Sequence, residues 1–427
     1  MAVSWLSALA ARGSVPVYPA VGPAMADQVR RLALEPDLEL VSTPRLASVL
    51  LVTGVVPSSA DVALRRVHAQ LPRPCGTLWY RSRPFPELDH PQVVDAPELI
   101  PGALRELHRV VLHSPRDQEP MLLPDAPPAP FEGRGDHGQG GEGMMGGMPY
   151  GRPMAMTADD LRDGLALDAI DFTLGPFFRG LPPGLVLELR VQGDVVQQCT
   201  VQAPPYAEPV AAPFLQALER PVPIVALELA RARHHLRRLA DALDLAGLDA
   251  LGRRLLRAAA GLVLGQRLRW LRPMLKGSGL LASVGAGRGV LSDTQASEIG
   301  GSAARAAGLS IDARMGDRGY AQLGFEPIVQ PRGKEVAGDI RARWRQWLDE
   351  IDQSLRLAAH AADIDAHTAK IGVVEGPGGR LATDQPLPDT GPVLETLLPG
   401  CEWNQALAVI ASLPLAAAAT PGAEAGA

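Results

Sequence analysis

The chain has 427 residues, 21% of them charged and 46% apolar, and a net charge of -6. That length predicts two domains with a core each, and the acidic balance excludes the broad basic footprint of a nucleic-acid-binding protein. Three cysteines, Cys75, Cys199 and Cys401, lie far apart with no C-x-x-C, which excludes a disulfide framework, a zinc ribbon and a complete ligand set for an iron–sulfur cluster.

In chain order, the N-terminal MAVSWLSALAARGSVPV has neither the basic start nor the apolar core of a secretory signal. No run reaches the roughly 18 apolar residues of a membrane span, so the expected location is cytoplasmic. DLELV (Asp37 to Val41) and SVLLVTGVV (Ser48 to Val56) read as strands, the second an unbroken run suited to burial on both faces. VALRRVHAQL follows with helical spacing, PCGTLWY returns as a strand, and GALRELHRVVLH closes as a helix. Strand, helix, strand, helix predicts a doubly wound α/β domain over residues 1–120. Cys75 reads as a half-buried thiol at a strand start.

Residues 121–156 form a joint. LLPDAPPAPF reads as a polyproline spacer, and the glycine- and methionine-rich GRGDHGQGGEGMMGGMPYGRPM after it is unsuited to any regular element. Met144, Met145, Met148, Met154 and Met156, with His137 nearby, are soft donors. Closing a glycine-rich chain around an ion costs so much entropy that gap-filling in a groove is the preferred reading.

Residues 157–415 predict a second, mainly α (α+β) domain: a helix bundle with flanking hairpins. GLVLELRVQGDVVQQCTVQ is a hairpin in which Leu185, Leu187, Leu189 and Val191 share one face and Gly193-Asp194 turns the chain. PIVALELARARHHLRRLADALDLAGL is a long amphipathic helix with a stripe through Leu229, Leu236, Leu239 and Leu243 and a stop at Gly247. IRARWRQWLDEIDQSLRLAAH repeats the pattern, and VVEGPGGRLAT is a second hairpin. Residues 416–427 read as a disordered tail. On the long helix His234 and His235 point about 100° apart and cannot chelate one ion together. They read first as a polar helix face and second as part of a proton or quinone path. Arg267 to Gly277, RLRWLRPMLKG, reads as a subunit-docking or anionic-lipid surface. GAGRGVL lacks the context and spacing of a dinucleotide site, and no arrangement of catalytic residues stands out.

Two blocks carry a resemblance. LELVSTPRLASVLLVTGVVPSSADVALRRVHAQLPRPCGTLWY resembles the small, cluster-carrying subunit of respiratory complex I and [NiFe] hydrogenases, including the turn Pro72-Arg73-Pro74. LGPFFRGLPPGLVLELRVQGDVV, ELARARHHLRRLADALDLAG, GRGVLSDTQASEIGGSAARAAGLSIDAR, RARWRQWLDEIDQSLRL, VVEGPGGRL and LPGCEWNQALAVIASL follow in the order of the 49-kDa-type, hydrogenase-like large subunit. The resemblance implies a fused small-plus-large subunit, yet the departures remove its metals. No cysteine precedes Cys75, which stands where the family usually has a basic residue, and Arg81 and Arg83 follow where another cluster ligand is expected. The two C-x-x-C pairs of a nickel–iron site are missing. No histidine follows Gly175-Pro176, where the quinone-reducing branch carries them.

The expectation is therefore a chain that binds no metal and has no catalytic residues of its own. It would scaffold the junction of the hydrophilic and membrane arms of a complex I-like or energy-converting-hydrogenase-like assembly, peripheral on the inner face of the cytoplasmic membrane. Antiporter-like and other membrane subunits would be its partners, and nucleic acid would not. The alternative is a quinone-reducing subunit of an NADH:quinone oxidoreductase, with a remodelled quinone pocket between the modules lined by Phe177, Phe178, Arg179 and Tyr206.

Overall fold

The computed structural model describes residues 10, 12–88, 91–114, 169–284, 286–333, 336–384 and 389–415. The methionine-rich joint and the tail lie outside them. The first module is a five-stranded, wholly parallel sheet in the order β2-β1-β3-β4-β5, with β1 Val15–Val21, β2 Leu38–Leu40, β3 Val49–Thr53, β4 Gly76–Tyr80 and β5 Pro91–Val94. Every residue of β3 and β4 is buried, as strands covered on both faces require.

Helices cover the two faces: α1 (Ala26–Leu32), α2 (Asp61–Ala69) and α3 (Ile100–His113). Leu64 of α2 packs with Leu50, Val52 and Trp79, while Leu104 and Leu107 of α3 pack with Val49, Leu51 and Leu78 on the opposite face. β1 escapes sequence reasoning because Pro16 and Pro19 argue against a strand paired on both sides. Pro16 serves instead as an acceptor, its carbonyl taking the Ser48 N–H at 3.0 Å. Cys75 is fully buried rather than half-buried, because the turn before β4 delivers it into the core beside His68, whose Nε2 lies 3.9 Å from the sulfur.

The second module begins with β6 (Ala169–Leu174), β7 (Val186–Gln192) and β8 (Val195–Gln202). The expected hairpin is thus two strands of a three-stranded antiparallel sheet. β6 escapes notice because four of its six residues are exposed and its alternation is weak. After α4 (Ala212–Glu219) comes the long α5 (Ile224–Leu245), which ends where Gly247 adopts φ +72°. The chain continues through α6 (Asp249–Ala260), α7 (Leu271–Gly277), α8 (Leu280–Ser283), α9 (Asp293–Ile299), α10 (Gly301–Ala306) and α11 (Arg318–Gln322). It closes with α12 (Ile340–Asp363), the hairpin β9 (Val373–Gly376) and β10 (Gly379–Ala382), α13 (Gly391–Leu397) and α14 (Trp403–Ser412). The core forms where α5 packs along α12, and Trp344, Trp347, Ile351 and Leu355 meet Leu236, Leu239 and Leu243 there.

His234 is half-buried among arginines, but His235 is not on a polar face. His235 is fully buried, because α12 covers that side of α5 and supplies its partner: Nε2 lies 3.0 Å from Glu350 Oε2. Burial pushes His235 below its ordinary range, even beside Glu350, so the neutral ring donates to an ionised carboxylate held low chiefly by Arg305. Around them runs a buried network. Arg305 reaches Glu350 at 2.8 Å, Glu375 at 2.8 Å and Asp312 at 2.9 Å. Arg314 bridges Asp312 at 2.7 Å and Glu228 at 3.3 Å, and Glu228 also accepts from Tyr320 and Ser354 at 2.6 Å each.

Removing one member of such a set strands a buried charge, which costs far more than an exposed pair contributes. Glu350→Ala is expected to lower stability by about 3–5 kcal/mol in urea unfolding, and Glu350→Gln, which retains an acceptor, by less. An unchanged unfolding midpoint for Glu350→Ala would show that the network adds nothing.

Candidate functional site

The loop from Gly175 to Gly184, between β6 and β7, reaches out of the second module into the first. Its ends are glycines for a steric reason. Gly175 (φ +98°) and Gly184 (φ +86°) adopt left-handed backbone, and a Cβ would come within 1.9 Å of the Leu185 carbonyl oxygen and 2.2 Å of the Tyr206 carbonyl oxygen. Between them the loop carries Phe177 into the first module's core, where it packs beside Tyr18, Ala20 and Tyr206.

Two tyrosine hydroxyls fix the insertion from opposite sides. Tyr18 of the first module donates to the Phe177 carbonyl at 2.7 Å, and Tyr206 of the second donates to the Val21 carbonyl at 2.6 Å. Arg179 donates to both the Leu40 carbonyl and Asp244. Between α1 and α5, Arg30 pairs with Asp241 at 3.1 Å and Arg237 with Asp27 at 3.0 Å.

The seam leaves a cavity of about 80 Å³, against the 10–15 Å³ or so that one water requires. Val21 and Val29 of the first module and Phe177 and Phe178 of the loop line it with apolar surface, and Arg30, Arg179, Asp241 and Asp244 line it with polar groups. Three of the four residues singled out from sequence, Phe177, Phe178 and Arg179, line this space. Tyr206 stands behind them, its ring centroid 6.4 Å from that of Phe177. Sequence reasoning missed Arg30, Asp241 and Asp244. The two aspartates lie three residues apart in DALD, a spacing that puts both on one helix face, and that was the available signal.

The carboxyls here are unusual. Asp244 is pushed up to about 7 by burial, reinforced by Asp249 and Asp241, although Arg179 opposes the shift. Glu208, whose Oε1 is buried and finds no hydrogen-bond partner among the described residues, is also raised to about 7 by burial. Of the two, Asp244 lines the cavity and, titrating near neutrality, can hold or release a proton there.

The metals that the subunit resemblance brings to mind do not fit. A cubane takes four ligands, and the group beside the Cys75 sulfur at 3.9 Å is the ring nitrogen of His68, not a second thiol. Burial raises the thiols of Cys75, Cys199 and Cys401, Cys199 to about 12, away from the thiolate that ligation needs. Among the described residues no three His, Cys, Asp or Glu side chains come together as a metal site.

No family model matches the chain, and no curated protein matches it. Among solved structures it is similar to a chain in the membrane-bound sulfane sulfur reductase, an archaeal respiratory membrane complex. The identity is 18%, the match covers 58% of this chain and 96% of that chain, and the TM-score is 0.40.

A carboxyl raised in the folded state binds more protons folded than unfolded between about pH 4 and 7. Its contribution to stability is complete at lower pH and is lost as pH rises through about 7. Asp244→Asn keeps an acceptor for Arg179 but cannot ionise. It is expected to shrink the stability difference between about pH 5 and pH 8 by on the order of 1–3 kcal/mol in urea titrations. A profile identical to that of the parent protein would remove Asp244 from this role.

Proposed function

We propose that the chain is a metal-free, fused small-plus-large subunit of a membrane-associated complex I-like or energy-converting-hydrogenase-like assembly. Its task is to scaffold the junction between the hydrophilic and membrane arms. The observation that carries this reading is the seam: Phe177 and Tyr206 belong to the second module by sequence and to the first module's core by packing. The small and large subunits that the chain resembles carry metal cofactors. Here the meeting is kept by side chains and backbone, while the sulfur ligands such cofactors require are missing from the sequence. A chain of this kind transmits position and strain between neighbours rather than electrons. No described helix is long and apolar enough to cross a membrane, so attachment would run through partner subunits, antiporter-like ones among them, and through the protein surface.

A second reading is favoured by the cavity itself. A space lined by apolar side chains, two arginines and a near-neutral aspartate suits a quinone ring. In that case Phe177 and Phe178 would hold the ring, Arg179 would polarise an oxygen, Asp244 would manage a proton, and electrons would arrive from a partner's cluster.

Gentle detergent extraction of native membranes followed by affinity isolation separates these readings from a solitary protein. The scaffold reading predicts co-isolation with integral membrane subunits in fixed ratio, and isolation of the chain alone would contradict it. Within the isolated assembly, Phe178→Ala and Arg179→Ala are expected to leave quinone-dependent turnover unchanged under the scaffold reading. A loss of about tenfold or more, with the assembly intact, would favour the quinone reading instead.

A further inference from the structure

Between residues 250 and 292 the sequence carries eight cationic residues and no carboxylate. The whole chain stands at -6, so this +8 segment leaves -14 on the remainder, and positive charge is concentrated in one stretch of an acidic chain. Part of it is structural. Arg254 lies 4.2 Å from the centroid of the Trp270 ring, and Arg272 binds Asp349 and Asp352 on α12 at 2.6 and 3.0 Å. Arg257, Arg267, Arg269 and Lys276 are exposed and pair with no carboxylate among the described residues.

The same stretch projects an apolar tip. Leu262 and Leu268 are buried and anchor the turn after α6, and Arg233 donates to the Leu262 carbonyl at 2.8 Å. Between these anchors Val263 is 62% exposed and Leu264 46%, and the next residue, Gly265, has nothing within 4 Å of where a Cβ would stand. Two aliphatic side chains held in water cost free energy unless something covers them.

We propose that this loop, with the arginines on either side of it, docks on a bilayer surface rich in anionic lipid. The aliphatic pair enters the boundary between headgroups and acyl chains, while the arginines lie among lipid phosphates. Charge complementarity favours an acidic surface, and a projecting two-residue apolar tip suits a yielding bilayer better than the preformed pocket a protein partner would need. The inference rests on the peripheral placement proposed above only for its biological setting.

The test uses the full chain and vesicles of pure phosphatidylcholine, or of phosphatidylcholine with about one-third phosphatidylglycerol, separated by flotation. Partitioning is expected to be about tenfold or more stronger on the anionic vesicles. It should fall steeply as salt rises past about 0.1 M, where the Debye length drops to roughly 10 Å. The double variants Arg267→Glu with Arg269→Glu, and Val263→Ser with Leu264→Ser, should each lower it about tenfold or more, with circular dichroism unchanged. Equal binding to both vesicles would overturn the proposal, as would indifference to the charge reversal. So would capture by immobilised polyglutamate without vesicle binding, which would point to an acidic protein. Because no partner subunit is present, failure here leaves the co-isolation result standing.

Discussion

Phe177 is carried by one module and buried in the core of the other, and most of what distinguishes this molecule follows from that exchange. The loop that delivers it closes only because Gly175 and Gly184 permit a backbone path that any Cβ would block. The tyrosine hydroxyls on either side donate to backbone carbonyls across the seam, tying each module to the other. With these contacts in place, α1 and α5 come close enough for Arg30 and Asp241 to meet, and the space left over becomes the cavity.

The second module is organised differently. Its centre is a buried set in which Arg231, Arg305 and Arg314 face Glu228, Asp312, Glu350 and Glu375. Such a set contributes little net stability compared with an apolar core, because desolvation offsets the attraction. It does tie α5 to α12 directly, through His235 with Glu350 and Glu228 with Ser354. That rigidity suits a subunit whose proposed task is to hold neighbours in place.

Much of the architecture was legible in the chain. The alternation in Gly184 to Gln202, the stripe through Leu236, Leu239 and Leu243 and the unbroken run in β3 are local signals, and local signals survive folding. What escaped was set by tertiary context. β1 hid behind two prolines, of which Pro16 still serves the parallel sheet by accepting from the Ser48 N–H through its carbonyl. His235 resembled a surface residue among arginines until α12 supplied Glu350. Phe177, Phe178 and Arg179 could be placed near the seam because their loop follows Gly175-Pro176. Asp244 could not, because its unusual acidity arises from burial that only the assembled modules create.

Under the proposed function, side-chain packing holds a junction at which redox centres would otherwise sit. Metal analysis with low-temperature electron paramagnetic resonance, run on the purified chain and on its native assembly, tests this most directly. The isolated chain is expected to hold no stoichiometric iron or nickel, with any cluster signal confined to the assembly. A tightly held cubane or nickel in the polypeptide alone would contradict it.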